Sequence, residues 1–315
     1  MLSFLIPTHN FVCTALVQAV VSQAETLRRE EGGHFDFEVI VADDASDDST
    51  TVAANRLLNQ LPRTRLVEHQ TNRGRALLCN WLIDHARFRH VVLMDADAAV
   101  CTPDFVRRYW QARHDAAVVC GSLRNPEGPA PKGCELRFRY EQQAMRHRQA
   151  LLRGTADPCL HLSTFNLLID KEALGDLRFD LRCRAYGYED ALLGLELKRR
   201  GLTVKHIDNP LVHTGIDRNV DFMHKTETAL LTLTGLDGLM QREAGPSRTL
   251  SLLQRWHLHR VVYGLFLLTR PMLRRNLLGS RPNLLVFKLY KLGYYATLCL
   301  TGKPQTGPAA DNRTA

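Results

Sequence analysis

Two acidic residues flank one small residue at Asp95-Ala96-Asp97, directly after an apolar run at residues 90–94. A strand that ends in this way can aim both carboxylates at one cation. Mg²⁺ and Mn²⁺ prefer such oxygen ligands and often share them with phosphate oxygens. Taken alone, so short a pattern is more often a solvated turn. Its position after an apolar strand, in a series of alternating strands and helices, favours a metal site.

A second acidic cluster follows the apolar run at residues 37–42, where residues 43–48 read DDASDD. Carboxylates at the end of a strand can hydrogen-bond a ribose or a nucleobase. Asp and Ser also favour loops that cap helices. The residues alone leave these two interpretations equally open.

Glu189 and Asp190 stand at the start of an amphipathic stretch that continues to about residue 200. Acids in the first turn of a helix are stabilised by its dipole, which is sufficient to explain them structurally. The functional alternative is a carboxylate base that receives a proton from an attacking hydroxyl. His213, in a predicted loop at residues 210–213, is by itself more often structural than a ligand, although imidazole suits Mn²⁺ better than Mg²⁺.

The elements that must position these residues alternate along the chain. Apolar runs predict strands at residues 2–6, 37–42, 65–68, 90–94 and 116–120, and the segments between them predict helices. This order is typical of crossover units and of a doubly wound, mainly parallel α/β sheet with helices on both faces. Such sheets bind ligands beyond the carboxyl ends of their strands. The polar motifs of this chain stand at those ends.

The composition excludes several classes of protein. Of the 315 residues, 45% are hydrophobic and 23% are charged, which excludes disorder, collagen and coiled coil as the dominant state. No GxxxxGK[ST] loop, no GxSxG elbow and no GxGxxG after the first strand is present, so these nucleotide-binding and hydrolase sites lack support. The eight cysteines form no CxxC pair and indicate neither a zinc site nor a disulfide framework.

Positive charge is concentrated near the C-terminus. Residues 246–303 contain ten Lys or Arg and no Asp or Glu, whereas the rest of the chain contains 31 basic and 33 acidic residues. Basic residues that recur among Trp, Tyr, Phe and Leu are typical of helices on anionic membrane surfaces. The alternative is a basic helical appendage packed on the core. We expect a catalytic domain at 1–240, a basic amphipathic helical membrane-associating region at 241–302 and a disordered tail at 303–315.

The expected location follows from the hydropathy pattern. No apolar run reaches the ~18 residues of a spanning helix, and the first residues lack a basic stretch and meet Pro7 at once, so no signal peptide is indicated. We expect a cytoplasmic protein attached peripherally to the inner face of the cell membrane. No motif for nucleic-acid binding accompanies the basic region, so nucleic acid is not expected as a partner.

Taken together, the motifs resemble the glycosyltransferase family 2 enzymes, which have the GT-A fold. Residues 3–10 (SFLIPTHN) resemble the opening strand of the family, residues 41–50 (VADDASDDST) its acid-rich loop, and residues 72–80 its glycine–asparagine helix. The acids at 95 and 97 match its D-x-D motif, and residues 187–190 (GYED) its E-D motif. Five motifs in the family's order, between about residues 2 and 234, make the resemblance specific. The late segments HIDNP and HTG resemble bacterial members.

The resemblance implies an inverting hexosyl transfer that depends on Mn²⁺ or Mg²⁺. The donor would be a nucleotide sugar, with UDP the expected nucleotide, and the acceptor a hydroxyl of a saccharide or lipid-linked saccharide in cell-surface polysaccharide synthesis. The implied nucleotide-binding residues are Pro7, Thr8, Asn10, Asp44, Arg75 and Asp95. The implied metal ligands are Asp95, Asp97 and His213, the implied base is Asp190, and Glu189 would help to position the acceptor.

One position departs from the family pattern, since Cys79 stands where many relatives have Arg before the helix asparagine. A side-chain contact to the nucleotide is therefore lost. Two alternatives remain open. A sugar nucleotidyltransferase usually needs a Gly-rich loop with a basic residue after the first strand, which this chain lacks. A catalytically silent carbohydrate-binding scaffold would have no need of Asp95, Asp97 and Asp190 together.

Overall fold

The computed structural model describes residues 1–152, 154, 156–183, 186–236, 238 and 244–302. The predicted tail at 303–315 lies outside the described residues. The chain divides into two compact units, of which the first comprises Met1–Pro129, Tyr140–Arg184 and Glu189–Ile216. The second comprises Ala130–Arg139, Ala185–Tyr188 and the chain from Asp217 onward. The domain boundary at residue 240 stays a prediction.

The described part of the first unit contains two sheets. Their strands are β1 (Leu2–Thr8), β2 (Phe37–Asp43), β3 (Thr64–Glu68), β4 (His90–Met94), β5 (Ala98–Val100), β6 (Val118–Cys120), β7 (Leu123–Arg124), β8 (Asn166–Asp170), β9 (Val204–His206) and β10 (Leu211–His213). The larger sheet has the order β3-β2-β1-β4-β8-β6-β9. Among these strands only β8 runs antiparallel to its neighbours. The predicted mainly parallel α/β sheet is confirmed.

The helices that precede residue 200 follow the predicted alternation. They are α1 (Thr14–Glu30), α2 (Ser49–Arg56), α3 (Arg75–His85), α4 (Phe105–Ala112), α5 (Glu135–Leu152), α6 (Lys171–Leu174) and α7 (Glu189–Arg199). All seven residues of β1 are buried because helices cover both faces of the sheet. Phe4 and Ile6 pack in one core cluster with α1 and α4, and Leu5 packs in another with α3 and α7. The helices on both faces are thereby confirmed.

The second sheet corrects one interpretation of the sequence. β10 pairs antiparallel with β5 and parallel with β7, so residues 211–213, predicted as a loop, form a strand. Strands of two or three residues are too short to show an apolar period. The register places His213 opposite Ala98, the residue after Asp97. This sheet therefore brings a late histidine beside the D-x-D motif.

The second unit is helical where it is described. Its helices after residue 216 are α8 (Asn219–Thr234), α9 (Gly245–Arg255), α10 (His259–Leu277) and α11 (Leu284–Thr301). Phe266 of α10 packs over Gly293 of α11, where any Cβ would meet the ring at 2.3 Å, and its ring contacts Tyr290 edge-on at 5.3 Å. The C-terminal helical extension is confirmed. Within the described ranges, none of the helices combines the length and hydropathy that a bilayer-spanning segment requires.

Candidate functional site

A buried histidine joins two carboxylates on one side of the site. His213 Nε2 lies 3.0 Å from Asp97 Oδ2, and His213 Nδ1 lies 2.8 Å from Glu141 Oε1. The side chains of His213 and Glu141 are each 5% exposed. Burial alone lowers the pKa of the imidazole, but the hydrogen bonds and charges of Asp97 and Glu141 outweigh it and raise the pKa to about 9. The ring is therefore charged at neutral pH and donates through both nitrogens.

The donor chemistry of this cluster fits a divalent cation. Asp95 and Asp97 offer carboxylate oxygens and His213 offers an imidazole nitrogen, a set that Mn²⁺ accepts. A histidine that binds metal through one nitrogen usually donates from the other to a carboxylate, and Glu141 occupies that position. No group of three His, Cys, Asp or Glu among the described residues forms a preassembled metal site. Binding would require the proton on Nε2 to leave.

A glycine allows the segment after β10 to approach Asp97 closely. Thr214 donates its backbone N–H at 2.8 Å and its hydroxyl at 2.7 Å to the backbone oxygen of Asp97. A Cβ on Gly215 would lie 2.7 Å from both Cβ and Oδ2 of Asp97. Such contacts are shorter than real Cβ contacts, so residue 215 must be glycine for this geometry. The close contact with the Asp97 side chain thus explains the glycine of the HTG segment.

An arginine connects the D-x-D motif to the E-D motif. The Arg75 guanidinium forms an ion pair with Asp95 and donates to Thr164 Oγ1 at 3.0 Å. The Thr164 hydroxyl donates to Asp190 Oδ1 at 2.5 Å, and the Thr164 N–H donates to Asp190 Oδ2 at 3.2 Å. Burial raises the pKa of Asp95, with Arg75 opposing and Asp97 reinforcing the shift. Acids far apart in the chain thus share one network.

The predicted nucleotide-binding residues Asn10 and Asp44 lie in the loops that follow β1 and β2. Asp44 Oδ1 and Oδ2 accept the backbone N–H groups of Arg73 and Gly74 at 2.8 and 2.9 Å, which holds the entrance to α3. Asn10 donates to Asp47 Oδ1 at 2.7 Å. Its own Oδ1 accepts the N–H groups of Asp47 and Asp48. These residues shape the two loops beyond the sheet edge.

The remaining predicted residues also lie at this edge. Pro7 and Thr8 are buried at the end of β1, and the Thr8 hydroxyl donates to the Phe11 carbonyl at 2.9 Å. Glu189 opens α7 and is buried. Cys79 packs in the core on α3, where burial raises its pKa to about 12. The thiol at the position that departs from the family pattern is therefore neutral.

The acidic loop also serves the capping role that the sequence left open. Asp48 Oδ1 accepts the N–H of Thr50 at 3.1 Å and caps α2. Asp43 Oδ1 accepts the N–H of Ser46 at 2.7 Å. Both residues hold the loop that carries Asp44, so the capping interpretation accounts for part of the cluster.

Two residues of this network were missed in the sequence. Thr164 precedes β8, and because β8 is antiparallel, its start lies at the edge where the parallel strands end. A search of strand ends alone passes over it. Glu141 sits in an Arg-rich helix that reads as solvated, yet it follows buried Phe138 by three residues, on the same helix face. The three-residue spacing from Phe138 is the feature of the sequence that indicates burial of Glu141.

Comparison with known proteins places the fold in a family. Residues 3–178 match the family described as Glycosyl transferase family 2. A segment of 149 residues, 47% of this chain, is 32% identical to the succinoglycan biosynthesis protein ExoO of Rhizobium meliloti (strain 1021) and covers 41% of that protein. The chain therefore spans about two fifths of the length of this curated relative.

Solved structures share the fold at low identity. The mannosyltransferase PcManGT from Pyrobaculum calidifontis, in complex with GDP-Man and Mn²⁺, has a TM-score of 0.55 and 18% identity, over 96% of this chain and 87% of that one. Glucosyl-3-phosphoglycerate synthase from Mycobacterium tuberculosis, in complex with Mn²⁺, UDP and glucosyl-3-phosphoglycerate, has a TM-score of 0.50 and 21% identity, over 76% and 81%. S. aureus TarS 1–349 in complex with UDP has a TM-score of 0.50 and 15% identity, over 99% and 95%.

These likenesses show the GT-A fold, and the family match covers more than half of the chain. The protein belongs to glycosyl transferase family 2.

Proposed function

We propose that this chain is a metal-dependent, inverting glycosyltransferase that moves a hexosyl group from a UDP-sugar to an acceptor hydroxyl. The observation that carries the proposal is the Arg75 guanidinium, which is paired with Asp95 and bonded to Thr164, the residue that holds Asp190. The D-x-D motif and the proposed base are therefore linked by one hydrogen-bonded network, which supports the proposal. Membership of the family supports the reaction class.

In the proposed reaction Asp190 receives the proton of the acceptor hydroxyl. Thr164 donates to both carboxylate oxygens of Asp190, which fixes the orientation of the carboxylate and leaves lone pairs for a substrate. A base within hydrogen-bond reach contributes ~10²–10⁴-fold to the rate. Glu189, next to it on α7, would position the acceptor. A single displacement inverts the configuration at the anomeric carbon.

The leaving diphosphate would be bound at the other end of the network. We propose that Asp95, Asp97 and His213 hold Mn²⁺ or Mg²⁺, which when bound supplies Lewis-acid stabilisation of the diphosphate. Glu141 keeps Nε2 of His213 facing Asp97. Arg75 adds a fixed positive charge beside Asp95. The Mn²⁺ named with two structural relatives supports this assignment.

The nucleoside would lie against the loops beyond β1 and β2. We propose that Pro7, Thr8, Asn10 and Asp44 line its pocket together with Arg75. Asn10 ties the first loop to the acidic loop, and Asp44 ties that loop to the start of α3. These bonds preorganise a pocket before the donor arrives, which lowers the ordering cost of binding.

The acceptor is proposed to be a saccharide or lipid-linked saccharide of a cell-surface polysaccharide. The similarity to a succinoglycan biosynthesis protein supports this class. We also propose that the enzyme acts at the cytoplasmic face of the cell membrane and that residues 241–302 form the membrane-associating region.

The test is UDP release from UDP-sugars with and without Mn²⁺, combined with titration calorimetry of the donor. Asp97→Asn should lose Mn²⁺-dependent donor binding and UDP release together. Asp190→Asn should keep donor affinity and lose transfer by at least about 100-fold. Asp115→Asn is the matched control, because Asp115 precedes β6 and pairs with Lys205 at the opposite edge of the sheet.

Two outcomes would contradict the proposal. If Asp190→Asn lost donor affinity in proportion to activity, the residue would be a donor ligand and not the base. If chelation left UDP release unchanged, the cation would have no role. A catalytically silent scaffold would show no release with any donor.

A further inference from the structure

An apolar stripe runs along the outer side of α10. Val261, Leu265, Leu268 and Met272 follow one another at intervals of four, three and four residues, which places them on one side of the helix. They are 54%, 57%, 81% and 67% exposed. Soluble proteins rarely expose large aliphatic side chains in a row unless the row is an interaction surface.

The other side of α10 is already occupied. Phe266 and Leu277 are buried, and Phe266 packs over Gly293 and against Tyr290 of α11. The stripe is therefore not a packing face of α10 against the described residues of the second unit. The stripe is therefore accessible to a partner other than the described residues of this chain.

Further exposed apolar side chains occur in the neighbouring helices. Leu285 and Leu289 lie one turn apart on α11 and are more than half exposed. Trp256, directly after α9, is 77% exposed. Tryptophan side chains are mostly buried in folded proteins, whereas tryptophan is enriched where lipid headgroups meet acyl chains.

The charged residues on α9, α10 and α11 are all basic. Between residues 245 and 302, the exposed basic residues are Arg248, Arg255, Arg260, Arg275, Arg281 and Lys288. Residues 246–303 contain no Asp or Glu. Two copies of this surface would repel each other, so self-association through it is disfavoured. Nucleic acid would use the arginines but would leave the leucine row in water.

We propose that the stripe of α10, with the exposed arginines near it, docks the protein on an anionic phospholipid surface. Amphipathic helices lie in the plane of a bilayer with the apolar side in the headgroup–acyl boundary. Arginines extend their charged ends to lipid phosphates while their stems cover apolar surface. Each contributes about fivefold to partitioning near an anionic surface. This inference rests on the membrane association proposed above, for which it names the surface and the lipid class, and it is independent of the proposed chemistry.

The experiment is co-sedimentation of the full chain with phosphatidylglycerol-containing vesicles at low salt, with phosphatidylcholine vesicles as the reference. Arg260→Gln with Arg275→Gln should reduce partitioning about 30-fold. Leu265→Gln with Leu268→Gln should abolish it even though every arginine is retained. Because these side chains are exposed, the variants should keep the wild-type melting temperature and Mn²⁺-dependent UDP release in solution.

Matched controls are exposed residues of the first unit. Leu57→Gln replaces a leucine that is 58% exposed, and Arg29→Gln with Arg87→Gln removes two exposed arginines. Both should leave vesicle binding within about twofold of wild type. Vesicles should also shift the tryptophan emission to the blue, and Trp256→Phe should lose that shift.

Three results would overturn the inference. The first is no binding to anionic vesicles at low salt. The second is equal loss in the control and stripe variants. The third is a concentration-dependent dimer in light scattering that Leu268→Gln dissociates, since the stripe would then bind a second copy of the chain. If the wild-type protein released no UDP but still bound vesicles, the result would contradict the proposed function and not this inference.

Discussion

Replacing Glu141 by Gln tests the role of the buried carboxylate beside His213. The folded protein raises the pKa of His213 from 6.5 to about 9, and this shift corresponds to ~3 kcal/mol of stability. Two carboxylates share that effect, so removing the charge of Glu141 should cost about 1–3 kcal/mol. The glutamine keeps an oxygen that can accept from Nδ1, so the change isolates the charge.

The pH dependence distinguishes this charge effect from a packing defect. A raised pKa stabilises the fold fully below the unfolded value of about 6.5, and the stabilisation is lost as pH rises through about 9. In urea unfolding with chelator, Glu141→Gln should therefore be less stable than wild type at pH 6 and nearly equal to it at pH 10. Glu172→Gln, which changes a largely exposed carboxylate on α6, should change stability by less than about 0.5 kcal/mol at either pH.

The same variant should weaken Mn²⁺ binding. Glu141 holds the ring so that Nε2 faces Asp97, and loss of such a partner typically costs 10–100-fold in metal affinity. Manganese titration at pH 8 measures this directly. An equal loss of stability at pH 6 and pH 10, together with unchanged Mn²⁺ affinity, would refute the reasoning.

Three further predictions follow from the site. Thr164→Val should lower kcat about 10–100-fold with little change in donor affinity, because Asp190 loses a charge-assisted hydrogen bond; Thr164→Ser should recover most of the activity. Gly215→Ala should raise the Mn²⁺ concentration for half-activation about tenfold, because the added Cβ would displace Asp97. The control is Gly264→Ala, which should match wild type because there is open space around Gly264. Chelation should abolish UDP release, and the Mn²⁺ needed to restore it should fall as pH rises from 7 to 9, because a proton must leave the imidazole; a pH-independent requirement would contradict this.

The larger sheet was predictable because its central strands are buried on both faces. β1, β2 and β4 are mostly apolar, and near-continuous apolar runs are typical of strands that helices cover on both sides. Their polar ends converge because parallel strands finish at one edge. Those features depend on local sequence alone.

The rest of the site depends on pairings that local sequence does not encode. Thr164 is placed by the antiparallel course of β8, and no pattern within residues 166–170 reveals strand direction. His213 is placed by a three-residue strand whose partner lies more than 100 residues earlier. Glu141 is buried on a helix with many arginines, and only its partner explains that burial.

The pairing of β10 with β5 has a consequence for how the enzyme matures. The two strands are more than 100 residues apart in the chain. Their pairing closes a long loop, so we expect it to form later than the helices and the pairings between strands that are near in sequence. A nascent or truncated chain that stops before residue 211 retains the strands of the larger sheet but lacks the imidazole. Under the proposed role of His213 in holding the metal, such a chain could not complete the proposed metal site.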